Sequence, residues 1–482
     1  MSTNDVDELR NILSQGSRSE SDSQHSSFDD ERSGGDDVLA VGSRGREFGD
    51  FVKTVSLGQD INTSVYREEL GARVNELTSE QLVGNLEHLR AVEYGNHWCV
   101  SYQVPVVESS LESIQEVLRA ITQNPGKMSA VLYTFAHNDN LELTLILPTG
   151  QPLRHTIENL SLNDLRRTTS QFRRQLTNRS LGTLPRYLSA AQKLYGWIVA
   201  PFREALDENG VEVIQFSLDP GLRSLPIAAL HDGEQFLIEN FAVATIPSFA
   251  LINNDYQSLR DTTVLVAGTS QFDQLPALPA VPVEVDAISA TWNTVNLVDE
   301  NFTLEGIRSA RQRSSFTIAH LATHAFFEPG DRQDSYVQLW GSERVGVDSI
   351  SALNFHTPPL ELLVLSACRT AVGDDQAELG FAGLSVQSGA KSVVASLWQV
   401  SDSGTLALMA EFYDALIDLP TKAEALRQAQ LAMLRGDVTI RQGQLQGTSR
   451  GAVAVPQAIA KGDLDFTHPY FWASFTLIGS PW

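Results

Sequence analysis

From about residue 260 onward the chain alternates near-continuous apolar runs with amphipathic stretches, and this narrows the possible folds more than any other feature. TVLVAGTS, TVNLVDE, SFTIAHLATHA, LELLVLSAC and KSVVASLWQV read as strands, and YFWASFTLIG closes the chain as another. PVEVDAISATW, LEGIRSARQR, ELGFAGLSVQSGA, SDSGTLALMAEFYDALIDL and TKAEALRQAQLAMLRG read as helices between them. Strands that are apolar on both faces must be covered on both faces. The pattern therefore predicts an α/β fold with a mainly parallel sheet flanked by helices.

The upstream half is organised differently. Residues 1–46 are rich in Ser, Asp, Glu, Arg and Gly, and SRSESDSQHSSFDDERSGGDD offers almost nothing to a core, so a disordered tail is expected. Within it, VDELRNIL has the makings of a short docking helix. Residues 47–126 carry apolar residues three and four apart, which predicts a helical region with Ser110 as an N-cap. The period then changes: AVLYTFAHNDNLELTLILPTG reads as two strands about a turn at His137–Asn140. Helical spacing returns from Leu162 to Glu208, and VEVIQFSLDP is a strand. Residues 436–468 are mixed and Gly-rich and read as a long surface loop. No repeat of fixed period appears.

Charge and cysteine content exclude several functions. The net charge of −24 disfavours nucleic acid and anionic membrane surfaces, which need a basic face, and permits attraction to basic peptides. Most of these charges are expected to serve solubility. No apolar run reaches the ~18 residues of a membrane span, and MSTNDVDELRNILSQ is not a secretory signal, so a cytoplasmic location is expected. The two cysteines, Cys99 and Cys368, make no disulfide framework. Ligands at metal-binding spacing are absent, so neither a metal nor a cofactor is expected. VLVAGTSQ lacks the phosphate-loop pattern, and no GxSxG elbow supports a serine hydrolase.

In open α/β sheets, sites form at the carboxyl ends of strands. Two of the strands end there in reactive side chains, His324 and Cys368, with room for one crossover between them. A thiolate is the nucleophile at a cysteine centre, and a neighbouring imidazole can take its proton and pass one to a leaving amine. The backbone N–H groups of Ala325 and Cys368 would sit where an oxyanion hole is wanted. The alternatives are a cysteine that serves as a small core residue and a histidine that is merely packed.

HLATHAFFEPG, LLVLSACRTAVGDDQAELGFAGLSVQSGAKSVVASLWQVSD and HPYFWASFTLIGSPW resemble the CHAT family, caspase-like domains named for their association with HetF and tetratricopeptide repeats. The resemblance is closest to bacterial members of cyanobacterial type and runs over about residues 110–482. It implies a caspase/separase-like fold with a first, pseudo-caspase subdomain over 127–259 and a catalytic one over 260–482. It also implies a cysteine endopeptidase whose His–Cys dyad falls on His324 and Cys368. His320 is then a packing residue or one standing behind the site. Two departures are visible: Ala325 stands where the family often has Gly, and no tetratricopeptide repeats precede the domain in this chain. In the related separases, a segment matching WQVSD lines the pocket for a basic P1 side chain, which makes Asp402 the expected substrate-binding residue for Arg or Lys. Ser401 or Asp402 would equally serve as an N-cap of the helix that follows. Asp374, Asp375 and Glu378 read as a solvated acidic loop, and Asp219 and Arg223 as turn and scaffold residues. Arg441, Arg450 and Lys461 are candidate self-cleavage sites. The expected partners are a protein or peptide substrate and a regulatory protein. The competing expectation is a non-catalytic interaction or scaffold module in signalling.

Overall fold

A computed structural model describes residues 62–98, 110–178, 185–327, 335–370, 381, 383, 387–447, 451–459 and 462–482, without the side chains of 96–98, 347–348 and 367–370. The expected tail, the VDELRNIL stretch, Cys99, the Asp374–Glu378 loop, Arg450 and Lys461 lie outside the described residues.

Three helices open the described chain: α1 (Thr63–Arg73), α2 (Ser79–Trp98) and α3 (Leu111–Gln123). Ser110 caps α3 as expected, its hydroxyl accepting from Ser113 N at 3.1 Å. Strands β1 (Ser129–His137), β2 (Asn140–Ile146) and β3 (Leu153–Ile157) form an antiparallel meander. The β1–β2 turn sets Asn138 and Asp139 at positive φ, a conformation that Asn and Asp tolerate better than most residues. Helices α4 (Leu162–Thr177) and α5 (Tyr187–Ile198) lead to β4 (Val213–Ser217) and β5 (Ala242–Ile246).

The second half contains β6 (Thr263–Gly268), α6 (Val281–Ser289), β7 (Asn293–Val298), α7 (Leu304–Arg313) and β8 (Ile318–Phe327). The short strands β9 (Tyr336–Gln338) and β10 (Arg344–Gly346) precede β11 (Leu362–Thr370) and β12 (Ser392–Ser396). Helices α8 (Asp402–Asp418) and α9 (Lys422–Leu434) follow.

The main sheet has 13 strands, and its path runs β10-β9-β8-β11-β12-β17-β5-β4-β1-β2-β3, where β17 is the closing strand Phe475–Gly479 and β6, with β7 beyond it, pairs to β8. β7, β6, β8, β11 and β12 are mutually parallel. β17, β5, β4 and β1 form a second parallel block. The blocks meet at the antiparallel β12–β17 pair, so they run in opposite senses. Apart from the edge strand β7, almost every described strand residue in both blocks is buried, which is why the sequence showed continuous apolar runs and not alternation.

One expectation is corrected. Residues 436–468 are not an irregular loop. They hold a four-stranded antiparallel sheet, β13 (Thr439–Arg441), β14 (Gln444–Gln446), β15 (Val453–Ala454) and β16 (Leu464–Asp465). Its strands of two or three residues are too short to show a period. Gln442 and Gly443 take positive φ between β13 and β14, the backbone of a two-residue hairpin.

Candidate functional site

Strand β8 changes partners midway. Its first half pairs in parallel with β6 as far as Gly268 opposite Ala322, and from Ala325 it pairs antiparallel with β9. Gly268 is fixed by this crossing, because a Cβ there would lie 2.6 Å from the Ala322 carbonyl oxygen. On the other side β8 runs parallel to β11, with a register shift that sets Ala367 opposite His324 and Cys368 opposite Ala325. The backbones of His324 and Cys368 therefore sit on adjacent strands, one step apart in register, where adjacent strands are about 4.8 Å apart. The Cys368 side chain lies outside the described atoms.

His324 is 5% exposed. Its ring packs on Phe272, centroid to centroid 4.7 Å. Its Nε2 lies 2.9 Å from the carbonyl oxygen of Pro276, which can only accept, so Nε2–H donates. In the neutral ring this leaves Nδ1 as the unprotonated nitrogen. Burial pushes the imidazole below the usual histidine range, and the bond to Pro276 works against that shift. Four residues earlier, His320 is fully buried, with Nδ1 3.1 Å from the Tyr413 hydroxyl and Nε2 3.0 Å from Glu284 Oε1. It stands behind the site, as expected.

His324 opens onto a cavity of about 240 Å³ whose lining includes Ala325, Ser366, Gln399, Glu284 and Asp402. Ser401, not Asp402, caps α8, its hydroxyl accepting from Gly404 N at 3.3 Å. Asp402 is left in the first turn, where the helix dipole favours an anion. Its Oδ2 accepts from Ala280 N at 3.3 Å. Burial, with the nearby Glu284 carboxylate adding to it, pushes the Asp402 carboxyl up to about 6. Among the described residues the lining contains two carboxylates and no Lys or Arg.

The segment from Leu275 to Ala280 divides this cavity from a second, of about 400 Å³. Pro276 and Leu278 face the first, Ala277 and Pro279 the second, and Asp402 borders both. Ile459, between β15 and β16, and Leu464 on β16 also line the second. Arg441 lies on β13 opposite Gln444.

Sequence reasoning missed Pro276 and Glu284. Pro276 acts through its backbone carbonyl, which no side-chain motif encodes. Glu284 looks like any acid on an amphipathic helix, and only its burial, 3% exposed, marks it. Among the described residues no three His, Cys, Asp or Glu side chains gather as metal ligands would, and no helix is long and apolar enough to cross a membrane.

The CHAT domain model matches residues 188–480, more than half of the chain, and the chain belongs to that family. No curated protein matches it. Solved structures similar to it include a Saccharomyces cerevisiae separase–securin complex, with 9% identity and a TM-score of 0.45, covering 83% of this chain and 33% of that one. Another is the Porphyromonas gingivalis RgpB complex of pro- and mature domains, at 11% identity and TM-score 0.37, covering 66% of this chain and 76% of the other. A third is the Arg-specific cysteine proteinase gingipain R, at 11% identity and TM-score 0.37, covering 66% and 74%. The chain thus spans about a third of the separase chain's length.

Proposed function

We propose that this protein is a cysteine endopeptidase in which His324 and Cys368 form a catalytic dyad and Asp402 receives an Arg or Lys side chain of the substrate. The reading is supported chiefly by the β8–β11 register, which sets Cys368 opposite Ala325 on the strand beside His324. The Pro276 carbonyl supports it further by holding Nε2–H and leaving Nδ1 as the base.

Nδ1 takes the thiol proton as sulfur attacks the scissile carbonyl. The backbone N–H groups of Ala325 and Cys368 stabilise the oxyanion. The imidazolium returns its proton to the leaving amine, and water then releases the acyl group from sulfur. A neutral resting imidazole suits this sequence, because a general base must begin unprotonated. The acidic lining supplies the attraction for a cationic side chain.

Cys368→Ala is expected to abolish cleavage of fluorogenic peptides with Arg or Lys at P1 while leaving the thermal unfolding midpoint in place. Equal turnover by wild type and variant would remove the dyad.

A second reading, a non-catalytic binding module, is favoured by the near-complete burial of His324. Iodoacetamide separates the two. A catalytic Cys368 is alkylated faster than Cys99, with a rate that reports a depressed thiol pKa, whereas an inert Cys368 favours the module.

A further inference from the structure

The pocket beside His324 holds more negative charge than its protein surroundings compensate. Asp402 and Glu284 both line it, and among the described residues neither Lys nor Arg does. Glu284 projects from α6 and is 3% exposed, a setting in which an ionised carboxylate normally has a cation or several donors. Its single basic neighbour is His320. Glu284 Oε1 stands 3.0 Å from His320 Nε2, yet neither atom is aligned for a hydrogen bond. Asp402 has one backbone donor, Ala280 N. Burial raises the Asp402 carboxyl, and the neighbouring Glu284 carboxylate adds to that rise. A cationic side chain entering the cavity would give the two carboxylates a partner.

Which cation follows from the number and placement of the acceptors. One carboxylate comes from the first turn of α8 and the other from α6. A guanidinium offers five N–H donors in a flat fork and can bond two carboxylates at once. An ammonium is a compact point charge, more strongly hydrated, and gives up more on entering a buried pocket. The apolar side chains of Leu275, Leu278 and Val281 line the approach and suit an aliphatic stem.

Building on the peptidase reading, we infer that Glu284 is a second specificity-determining residue and that the pocket selects arginine over lysine. Asp402 supplies the attraction common to both, and Glu284 supplies the discrimination. His320, held by Tyr413 on its other nitrogen, stands 3.0 Å from Glu284 Oε1.

Three peptides identical except for Arg, Lys or citrulline at P1 test this. Wild type is expected to show kcat/KM for Arg at least about tenfold above Lys, the worth of one further charge-assisted hydrogen bond, and not to cut the citrulline peptide. Glu284→Gln brings the Arg/Lys ratio close to one, mainly through KM for Arg. Glu284→Asp, which keeps the charge, retains part of the preference and serves should the glutamine variant unfold. A ratio unchanged in Glu284→Gln, or a wild-type preference for Lys, overturns the inference.

Calorimetric titration of Cys368→Ala with propylguanidinium and with butylammonium reads the same pocket without catalysis. The guanidinium is expected to bind more tightly, and Cys368→Ala/Glu284→Gln to lose the difference. Guanidinium preference without cleavage of any peptide sinks the peptidase and leaves the pocket assignment standing. Cleavage with no such preference does the reverse.

Discussion

Two of the buried charge groups in this molecule are opposites. The first joins the N-terminal helices to the β1–β4 part of the sheet. Asp219, wholly buried, accepts from Arg67 at 2.8 Å, Arg90 at 2.6 Å and the Ala136 amide at 2.7 Å. Glu93 pairs with Arg67, Arg90 and Arg223. Burial alone would raise the Glu93 carboxyl, but Arg223, Arg90 and Arg67 outweigh it and hold it well below the usual carboxylate range. Each carboxylate is met by cations from distant parts of the chain. The second group, Glu284 and Asp402, faces a cavity with no Lys or Arg among its described lining residues. The first group ties elements together, while the second is where the proposed function places the cation of the substrate.

Breaking each group in turn tests that contrast. The largest effect on stability is expected from Arg90→Ala, which strands Asp219 and Glu93 in the interior and costs about 3–5 kcal/mol in denaturant unfolding. Asp402→Asn should do the opposite, leaving the fold as stable or more so and lowering kcat/KM for basic peptides on the order of a hundredfold. If both variants behaved alike in unfolding, the distinction between the two groups would be lost.

pH sharpens it further. The Asp402 carboxyl titrates near 6 in the folded chain against 3.8 for the free side chain, so the folded state binds more protons between those values. Its contribution to stability therefore declines as pH rises from about 4 to 6, and Asp402→Asn removes that decline. By the same titration, kcat/KM for basic peptides should fall as pH drops through about 6, and a profile flat across that range would separate Asp402 from substrate. The smallest effect expected is from Ser401→Ala, which removes the α8 cap and costs about 1 kcal/mol, read as a lower Tm with the Arg/Lys ratio preserved.

The strands and helices after residue 260 were legible because burial on both faces leaves an unbroken apolar record. The order of strands was not. The closing strand β17 inserts between β12 and β5, reversing the sheet's sense at its centre, and no local pattern announces a pairing between the chain's last strand and one more than 200 residues earlier. Helix α2 was legible as a helix, but not its burial of Glu87, Arg90 and Glu93. Nothing in residue type marks a charged helix position as buried, yet Glu87 accepts from the Tyr133 and Ser248 hydroxyls and from the Phe249 and Ala250 amides. Reading most of the acidic excess as a solubility device fails for these positions and for Glu284. Asp219 and Arg223 read as turn and scaffold residues, but what they hold together was hidden because their partners, Arg67, Arg90 and Glu93, lie in another part of the sequence.

The sequence alone determined that His324 and Cys368 lie near the carboxyl ends of two buried strands, which run on to Phe327 and Thr370, and that an acid follows the strand after them, because strand ends and helix caps are written in local residue order. Tertiary structure alone decided that the Pro276 carbonyl would orient His324, and that Glu284 would share a cavity with Asp402. Hydrogen bonding by a backbone carbonyl leaves no mark on residue type, and whether a buried charge is compensated depends on which distant side chains the fold brings within reach.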